Sequence, residues 1–281
     1  MQPFNNLLLN SRKRSIFLHK NRFGGLIMET ENDLINLIEH LAANAWPCHT
    51  QEKLESWRMR ATFGVTERAN SVYTIGLMPQ DPMWLQKIEK FYTDRSIPPC
   101  FYISDISPRD LDPILESRGY QKLDECFIMT ASCIDILENN EENTLWKIDY
   151  LPEADTKWIE EFIELEGFST ERHKAYSHIF SSIKPIKNFL RVSEHNETVG
   201  LGTVVVEEGW GCISNIVVNP KHRRKGIANK IIKYLSKWAY ENGAHHMYLQ
   251  VIQTNDPAVK LYEKIGFAPI SKHHYRILTP N

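Results

Sequence analysis

No apolar run in this 281-residue sequence approaches the ~20 residues that a membrane-crossing helix requires. The first residues also lack the unbroken apolar core and small-residue cleavage site of a signal peptide, so neither membrane insertion nor secretion is expected. Cysteine is sparse: Cys48, Cys100, Cys126, Cys133 and Cys212 are odd in number, scattered, and form no C-x-x-C pair of the kind zinc or redox sites use. A reducing, cytoplasmic setting fits that pattern. The paired histidines His245-His246 and His273-His274 do not supply a metal site instead, because neighbours along a strand point to opposite faces and cannot share one ion. No metal is therefore expected. Acids are absent from residues 1–27, which carry five basic residues and read as a disordered leader. The basic run Lys221 to Lys225 is short and lacks interleaved aromatics in a chain of net charge −2, which argues against nucleic acid as a partner.

What is present describes an ordinary globular protein, 42% hydrophobic, 24% charged and 11% aromatic. The length suggests two units. Residues 28–144 hold ten Lys plus Arg against twenty Asp plus Glu, whereas residues 145–281 hold eighteen against fifteen. A mildly basic half suits a polyanionic cofactor, and an acidic neighbour would attract a cationic substrate, although solubility alone accounts for the same asymmetry.

In the first unit, Leu34, Ile35, Leu37, Ile38, Leu41 and Ala45 recur at helical spacing up to Trp46-Pro47, which ends the helix. Alternation predicts strands at Trp57 to Phe63, Ser71 to Ile75, Phe101 to Ser104 and Lys122 to Ala131, with helices from about Pro82 to Tyr92 and from Pro108 to Gly119. The second unit reads as strand (Trp146 to Leu151), two helices (Glu153 to Gly167 and Ser169 to Ile183), and strands at Phe189 to Glu194, Thr198 to Glu207 and Trp210 to Val218. A helix to Tyr240, a strand at Met247 to Ile252, a helix from Asn255 to Ile265 and closing strands around Phe267 and His274 to Leu278 follow. The polar stretch Glu138 to Asn143 makes a natural linker. The expected organisation is a leader (1–27), a mixed α/β unit (28–137), a linker (138–144) and an α+β unit with a mixed sheet (145–281).

An internal echo links Phe101-Tyr-Ile-Ser and Ile114-Leu-Glu-Ser-Arg-Gly119-Tyr120 to Tyr248-Leu-Gln-Val and Leu261-Tyr-Glu-Lys-Ile-Gly266-Phe267. It leaves open a duplication whose first copy has lost its phosphate turn, since no basic glycine-containing turn precedes a helix in residues 60–95.

The most informative stretch runs from Ile213 to Asn229, an apolar strand that breaks at Asn219-Pro220 into a basic turn and then a helix. Ile227, Ile231, Leu235 and Trp238 share one helical face, which docks the helix on the sheet and leaves its first turn exposed. Free N–H groups at a helix start, with the positive end of its dipole, suit a phosphate. Gly226 permits close backbone approach, Ala228 keeps the next position small, and Arg223, Arg224 and Lys225 add positive charge.

Arg223-Arg-Lys-Gly226-Ile-Ala228 resembles the Arg/Gln-x-x-Gly-x-Gly/Ala signature of the GNAT superfamily of acyl-CoA-dependent N-acetyltransferases, and Met247 to Phe267 resembles that family's next strand, asparagine, and helix with a tyrosine before Gly-Phe. The resemblance covers residues 145–281, with a degenerate copy before it left open. It implies a three-layer α/β fold with a mostly antiparallel sheet flanked by helices. It further implies acetyl-CoA as co-substrate, its pyrophosphate on the amides of Arg224, Lys225, Gly226, Ile227, Ala228 and Asn229, its pantetheine along Ile216, Val217 and Val218, and Asn255 against the pantetheine arm. An amide near Val217 would polarise the thioester carbonyl.

Two proton transfers remain for the side chains. Tyr262 is the expected acid. The base is sought among Glu164, Glu166, Glu207 and Glu208, with Glu208 at the hairpin carried forward. The expected reaction is direct attack by a primary amine, with no covalent intermediate. The acceptor would be a small molecule, favoured as cationic by the acids of the first unit, and Trp57 to Arg60 with Thr66 to Ser71 group polar and aromatic residues suited to an acceptor pocket or simply to strand and turn chemistry. An acyl-CoA-binding sensor or scaffold is the alternative. Monomer and homodimer remain open.

Overall fold

The computed structural model describes residues 22–23, 26–27, 30–138 and 146–279. Most of the expected leader and of the 138–144 linker lies outside these residues, apart from the short antiparallel strands β1 (Arg22–Phe23) and β2 (Leu26–Ile27) and a turn at Glu138.

Helix α1 (Glu31–Ala45) starts with a capping box: Thr30 Oγ1 accepts from the Asp33 N–H at 3.2 Å, and the Asp33 carboxylate accepts from the Thr30 N–H at 2.9 Å. A hairpin of β3 (Thr50–Leu54) and β4 (Trp57–Ala61) follows, then β5 (Val72–Tyr73), α2 (Trp84–Thr93), β6 (Cys100–Ser104), α3 (Leu111–Ser117), β7 (Gln121–Ser132) and α4 (Cys133–Leu137). Strand β3 was not expected, because Thr-Gln-Glu-Lys-Leu lies on the sheet edge with its central residues exposed and so carries no apolar alternation.

The second half comprises β8 (Lys147–Leu151), α5 (Thr156–Glu166), α6 (His173–Ser182), β9 (Ile186–Glu194), β10 (Glu197–Glu207), β11 (Trp210–Val218), α7 (Ile227–Glu241), β12 (His246–Ile252), α8 (Asp256–Ile265) and β13 (Ala268–Ile277). The two closing strands expected at the end are one, interrupted by irregularities between Pro269 and Ser271 and between His273 and Tyr275.

Eleven strands form one mixed sheet in the order β3-β4-β5-β6-β13-β7-β12-β11-β10-β9-β8, mostly antiparallel, with parallel pairs at β5–β6 and β11–β12. Strand β7, the last of the first half, lies between β12 and β13, and β13, the last of the second half, lies between β7 and β6. Outward from this central pair the order repeats on both sides, β6-β5-β4-β3 and β12-β11-β10-β9. The expected boundary near residue 143 therefore does not separate two sheets.

Helices cover both faces, giving three layers. On one face Leu34, Ile38 and Leu41 of α1 join Trp158 and Phe162 of α5 and Tyr176 and Phe180 of α6 over Phe189, Leu201 and Val205. On the other, Ile227, Ile231, Ile232 and Leu235 of α7 pack on Leu190, Val192, Val204 and Ile213. Helix α7 sits close to the sheet because β10 carries glycines under it: a Cβ on Gly202 would lie 2.7 Å from Ile231 Cγ2 and 2.9 Å from Leu235 Cδ1.

Candidate active site

Strands β11 and β12 pair only from Trp210–Cys212 to His246–Tyr248. Beyond that point β12 remains with β7, and β11 stays with β10, so the two parallel strands part. A bulge opposite Gly202 places Asn215 at φ 55°, its side-chain amide donating to Thr203 Oγ1 at 3.1 Å. At the end of β11 the Asn219 N–H donates to the Val199 carbonyl on β10 at 3.0 Å. Strand alternation turns Val217 the same way, toward Leu201, and Val218 the other way, where Arg223 Nε donates to its carbonyl at 3.4 Å. The amide on the open edge is thus that of Val218 and not, as expected, that of Val217.

The turn after β11 is held from below. Asn219 caps it, accepting from the Lys221 N–H at 3.1 Å and donating to Glu197 at 3.1 Å, and His222 lies 3.3 Å from Glu194. Arg224 (φ 63°) and Gly226 (φ 82°) are both left-handed, and a Cβ on Gly226 would meet nothing within 4 Å, so glycine is needed there for its backbone conformation rather than for space within the protein. The first helical bond of α7 runs from the Lys230 N–H to the Gly226 carbonyl at 3.1 Å. Among the described residues, no acceptor takes the N–H groups of residues 224–229, and no acid occurs in the first turn of α7. The side chains of Arg223, Arg224 and Lys225 are exposed around them.

The counterpart in the first half is filled. The Glu55 carboxylate accepts from the N–H groups of Gln80 (2.8 Å) and Asp81 (3.3 Å) just before α2, and Thr74 Oγ1 donates across to the Tyr102 carbonyl on β6 at 2.6 Å.

Asn255 caps α8, its Oδ1 accepting from the Ala258 N–H at 3.3 Å, which leaves its exposed side-chain NH2 available. About two turns further along, Tyr262 is half-buried edge-on against Phe267, ring centroids 5.9 Å apart. Burial pushes its phenol up to about 12, against a weaker pull from the Arg68 guanidinium, so it is a proton donor at any physiological pH.

The glutamates fare differently. Glu208 is exposed in the β10–β11 turn, at the end where β11 and β12 are joined. About ten residues of strand, roughly 30 Å at ~3.3 Å each, separate it from Val218, so the structure does not bring it to Tyr262 or to the α7 turn. Sequence alone does not show at which end the parallel strands part. Glu207 is held by Asn44 Nδ2 at 3.0 and 3.1 Å. Glu164 is exposed on α5, whereas Glu166, also an exposed residue, has its carboxyl raised by desolvation and drawn back by Arg223, the cation at the α7 turn.

Sequence reasoning missed Glu39, which is 1% exposed beneath α1. Burial pushes its carboxyl up to about 8; the hydroxyls of Ser104 and Tyr102 act on it weakly in the other direction, and neither closes a hydrogen bond onto it. The signal was available, since Glu39 follows Ile35 by four positions on the apolar face of α1. The cysteines are free, four of them buried, and no group of three or more potential metal ligands occurs among the described residues. No helix among them is long and apolar enough to cross a membrane.

Parallel strands that part beside an unfilled helix start define the fold of an acyltransferase of the GNAT type. Over residues 33–278 the chain matches the family model described as the C-terminal part of the probable histone acetyltransferase Rv0428c, and it belongs to that family of N-acetyltransferases. It is 48% identical over 245 residues to the uncharacterized N-acetyltransferase YobR of Bacillus subtilis (strain 168), covering 87% of this chain and 99% of that protein. A streptothricin acetyltransferase of Streptomyces lavendulae is 33% identical over 85 residues, 29% of this chain and 44% of that protein. Among solved structures, a GCN5-related N-acetyltransferase from Kribbella flavida shares the fold with a TM-score of 0.64 at 14% identity, covering 86% of this chain and 96% of that one. A tandem GNAT protein from the clavulanic acid biosynthesis pathway does so with a TM-score of 0.56 at 8% identity, over 69% and 68% of the two chains.

Proposed function

We propose that this chain transfers the acetyl group of acetyl-CoA to a primary amine of a small molecule by direct attack. The observation that carries the reading is the run of unclaimed N–H groups at residues 224–229, aligned with the dipole of α7 and ringed by Arg223, Arg224 and Lys225. These donors fit a pyrophosphate. The outward amide and carbonyl of Val218, with Ile216 beside them, fit the amide groups of a pantetheine arm, and the free side-chain NH2 of Asn255 fits its far side.

Acetyl-CoA supplies, when bound, an acyl thioester open to attack. Tyr262 holds a proton at its phenol oxygen for the departing sulfur. Glu166, whose carboxyl is raised by desolvation and drawn back by Arg223 of the α7 turn, is the carboxylate taken to draw a proton from the amine. The four buried cysteines fit a route without a covalent enzyme intermediate.

The first half reads as a degenerate copy of the second, supported by the mirrored strand order and by Glu55 standing where an anion would bind. Calorimetric titration with acetyl-CoA tests both readings. The expected result is micromolar binding at one site per chain, abolished in Gly226→Glu, which adds a carboxylate among the free amides. No binding by the parent refutes the acetyl-CoA reading, and two sites per chain refute the degenerate copy. A non-catalytic acyl-CoA binder has less support, because it gives no use to a half-buried phenol raised to about 12.

A further inference from the structure

Beside α1, residues of β3 and β4 and residues of β10 line a common recess whose cationic side chains make no ion pair among the described residues. A cavity of about 720 Å³ there is lined by Arg58, Arg60 and Lys184. Among the described residues its one lining acid, Glu207, is already engaged by Asn44. A narrower cleft sharing Ala43 and Arg60 continues beneath α1 to Arg68, Gln250 and Tyr275. Among the described residues its one lining acid is Glu39, whose carboxyl burial pushes up to about 8 and which makes no ion pair with Arg68.

The backbone that carries Arg68 is firmly held. Arg60, 5% exposed, gives its guanidinium to the backbone carbonyls of Arg68 (2.9 Å), Ala43 (3.2 Å) and Trp46. Asn70 locks the same loop, accepting from the N–H groups of Thr62 (2.6 Å) and Gly64 (3.2 Å) and donating to the Thr66 carbonyl (2.7 Å). The Arg68 guanidinium lies 5.3 Å from the centre of the Trp46 ring, and no hydrogen-bond acceptor or carboxylate pairs with it among the described residues. The cleft that Arg68 lines includes Gln250, on the stretch of β12 that has left β11, and the charge of Arg68 acts on residues of three elements, Tyr262 of α8, Tyr275 and His273 of β13, and Tyr176 of α6. A half-buried planar fork with five donors and no anion to receive them is a binding group awaiting its partner.

We propose that Arg68 receives the carboxylate of the acceptor, so that the substrate is an amine bearing a carboxylate and its anionic end lies in the recess while its amine faces Tyr262. The proposal rests on the acetyl-transfer reading above. It replaces the cationic acceptor expected from composition: the acids that outnumber bases in the first half do not gather here, where Glu39 and Glu207 are the only acids lining either recess among the described residues.

The test is CoA release, followed as free thiol, with matched acceptor pairs: β-alanine and β-alaninamide, lysine and lysinamide, and a dipeptide with free and amidated C-terminus. The parent should favour the carboxylate member by about 10- to 100-fold in kcat/KM, the range expected of a hydrogen bond between charged groups. Arg68→Gln should collapse that ratio through KM for the carboxylates, with acetyl-CoA affinity by calorimetry unchanged, and Arg68→Lys should restore part of it. A parent that acylates the amides as well as the acids, or an Arg68→Gln protein that keeps the ratio, overturns the proposal. A parent that binds acetyl-CoA but acylates neither member of any pair overturns it too. Absence of acetyl-CoA binding would instead remove the transfer reading beneath it.

Discussion

Two glycines make a controlled pair. Gly226, before α7, and Gly119, between α3 and β7, have φ 82° and 85°, and a Cβ on either would meet nothing within 4 Å. Alanine at each should therefore cost the same left-handed strain, about 1–2 kcal/mol, with no clash added. At ~2–4 °C per kcal/mol for a chain of this size, each variant should melt a few degrees below the parent. Under the proposed reading, only at Gly226 do the left-handed bonds orient amides that bind the cofactor. Relaxing φ there swings the N–H groups on either side, and losing two hydrogen bonds to a charged ligand, each worth ~1.5–3 kcal/mol, should weaken acetyl-CoA by at least about 100-fold. Differential scanning fluorimetry and calorimetric titration of the parent and both variants supply the measurements. Equal acetyl-CoA affinity in Gly226→Ala and Gly119→Ala would refute the assignment of the α7 turn to the pyrophosphate, and a large difference in melting would refute the strain argument itself.

Tyr262→Phe should lower kcat by about 100-fold while leaving acetyl-CoA affinity close to that of the parent, and Glu208→Gln should alter neither; steady-state kinetics on both variants checks the pair. Because the Tyr262 phenol is raised to about 12, activity should show no alkaline limb from it below pH 11, which a pH–rate profile reads directly. Glu39 predicts a pH-dependent stability. Its folded value of about 8 lies above the ordinary 4.5, so the stability it contributes is fully present below pH 4.5 and is lost as pH rises through about 8. Glu39→Gln should accordingly melt higher than the parent at pH 9 and no higher at pH 4.

Most of the second half was legible in the sequence because its signals are local. The strand into Asn219-Pro220, the basic turn and the apolar face of α7 fix one another within twenty-odd residues, and the Asn255 to Phe267 segment does the same for α8. What stayed hidden depends on pairing between distant segments. That β7 enters the second half's territory has no local signature, since a strand buried on both sides reads the same whichever neighbours it takes. Glu208 was misplaced for that reason, and Val217 because a one-residue alternation decides which way an amide points. Glu39 was passed over because a lone acid on an apolar stripe reads as noise until its burial is known.

The crossing of β7 and β13 bears on how the chain reaches this state during synthesis. As residues 30–138 leave the ribosome they can form the β3–β4 hairpin, but β6 and β7 cannot close on each other as they finally stand, because the place between them belongs to a strand some 130 residues away. Until β13 emerges, the nascent sheet holds a slot one strand wide, about 10 Å from β6 to β7, with two open hydrogen-bonding edges. Strand β13 thus enters as a keystone, so the order of translation leaves the middle of the sheet for last. A chain stalled before residue 268 would display those edges to any passing strand, and the long loop that must close makes this the slow, exposed step of its maturation.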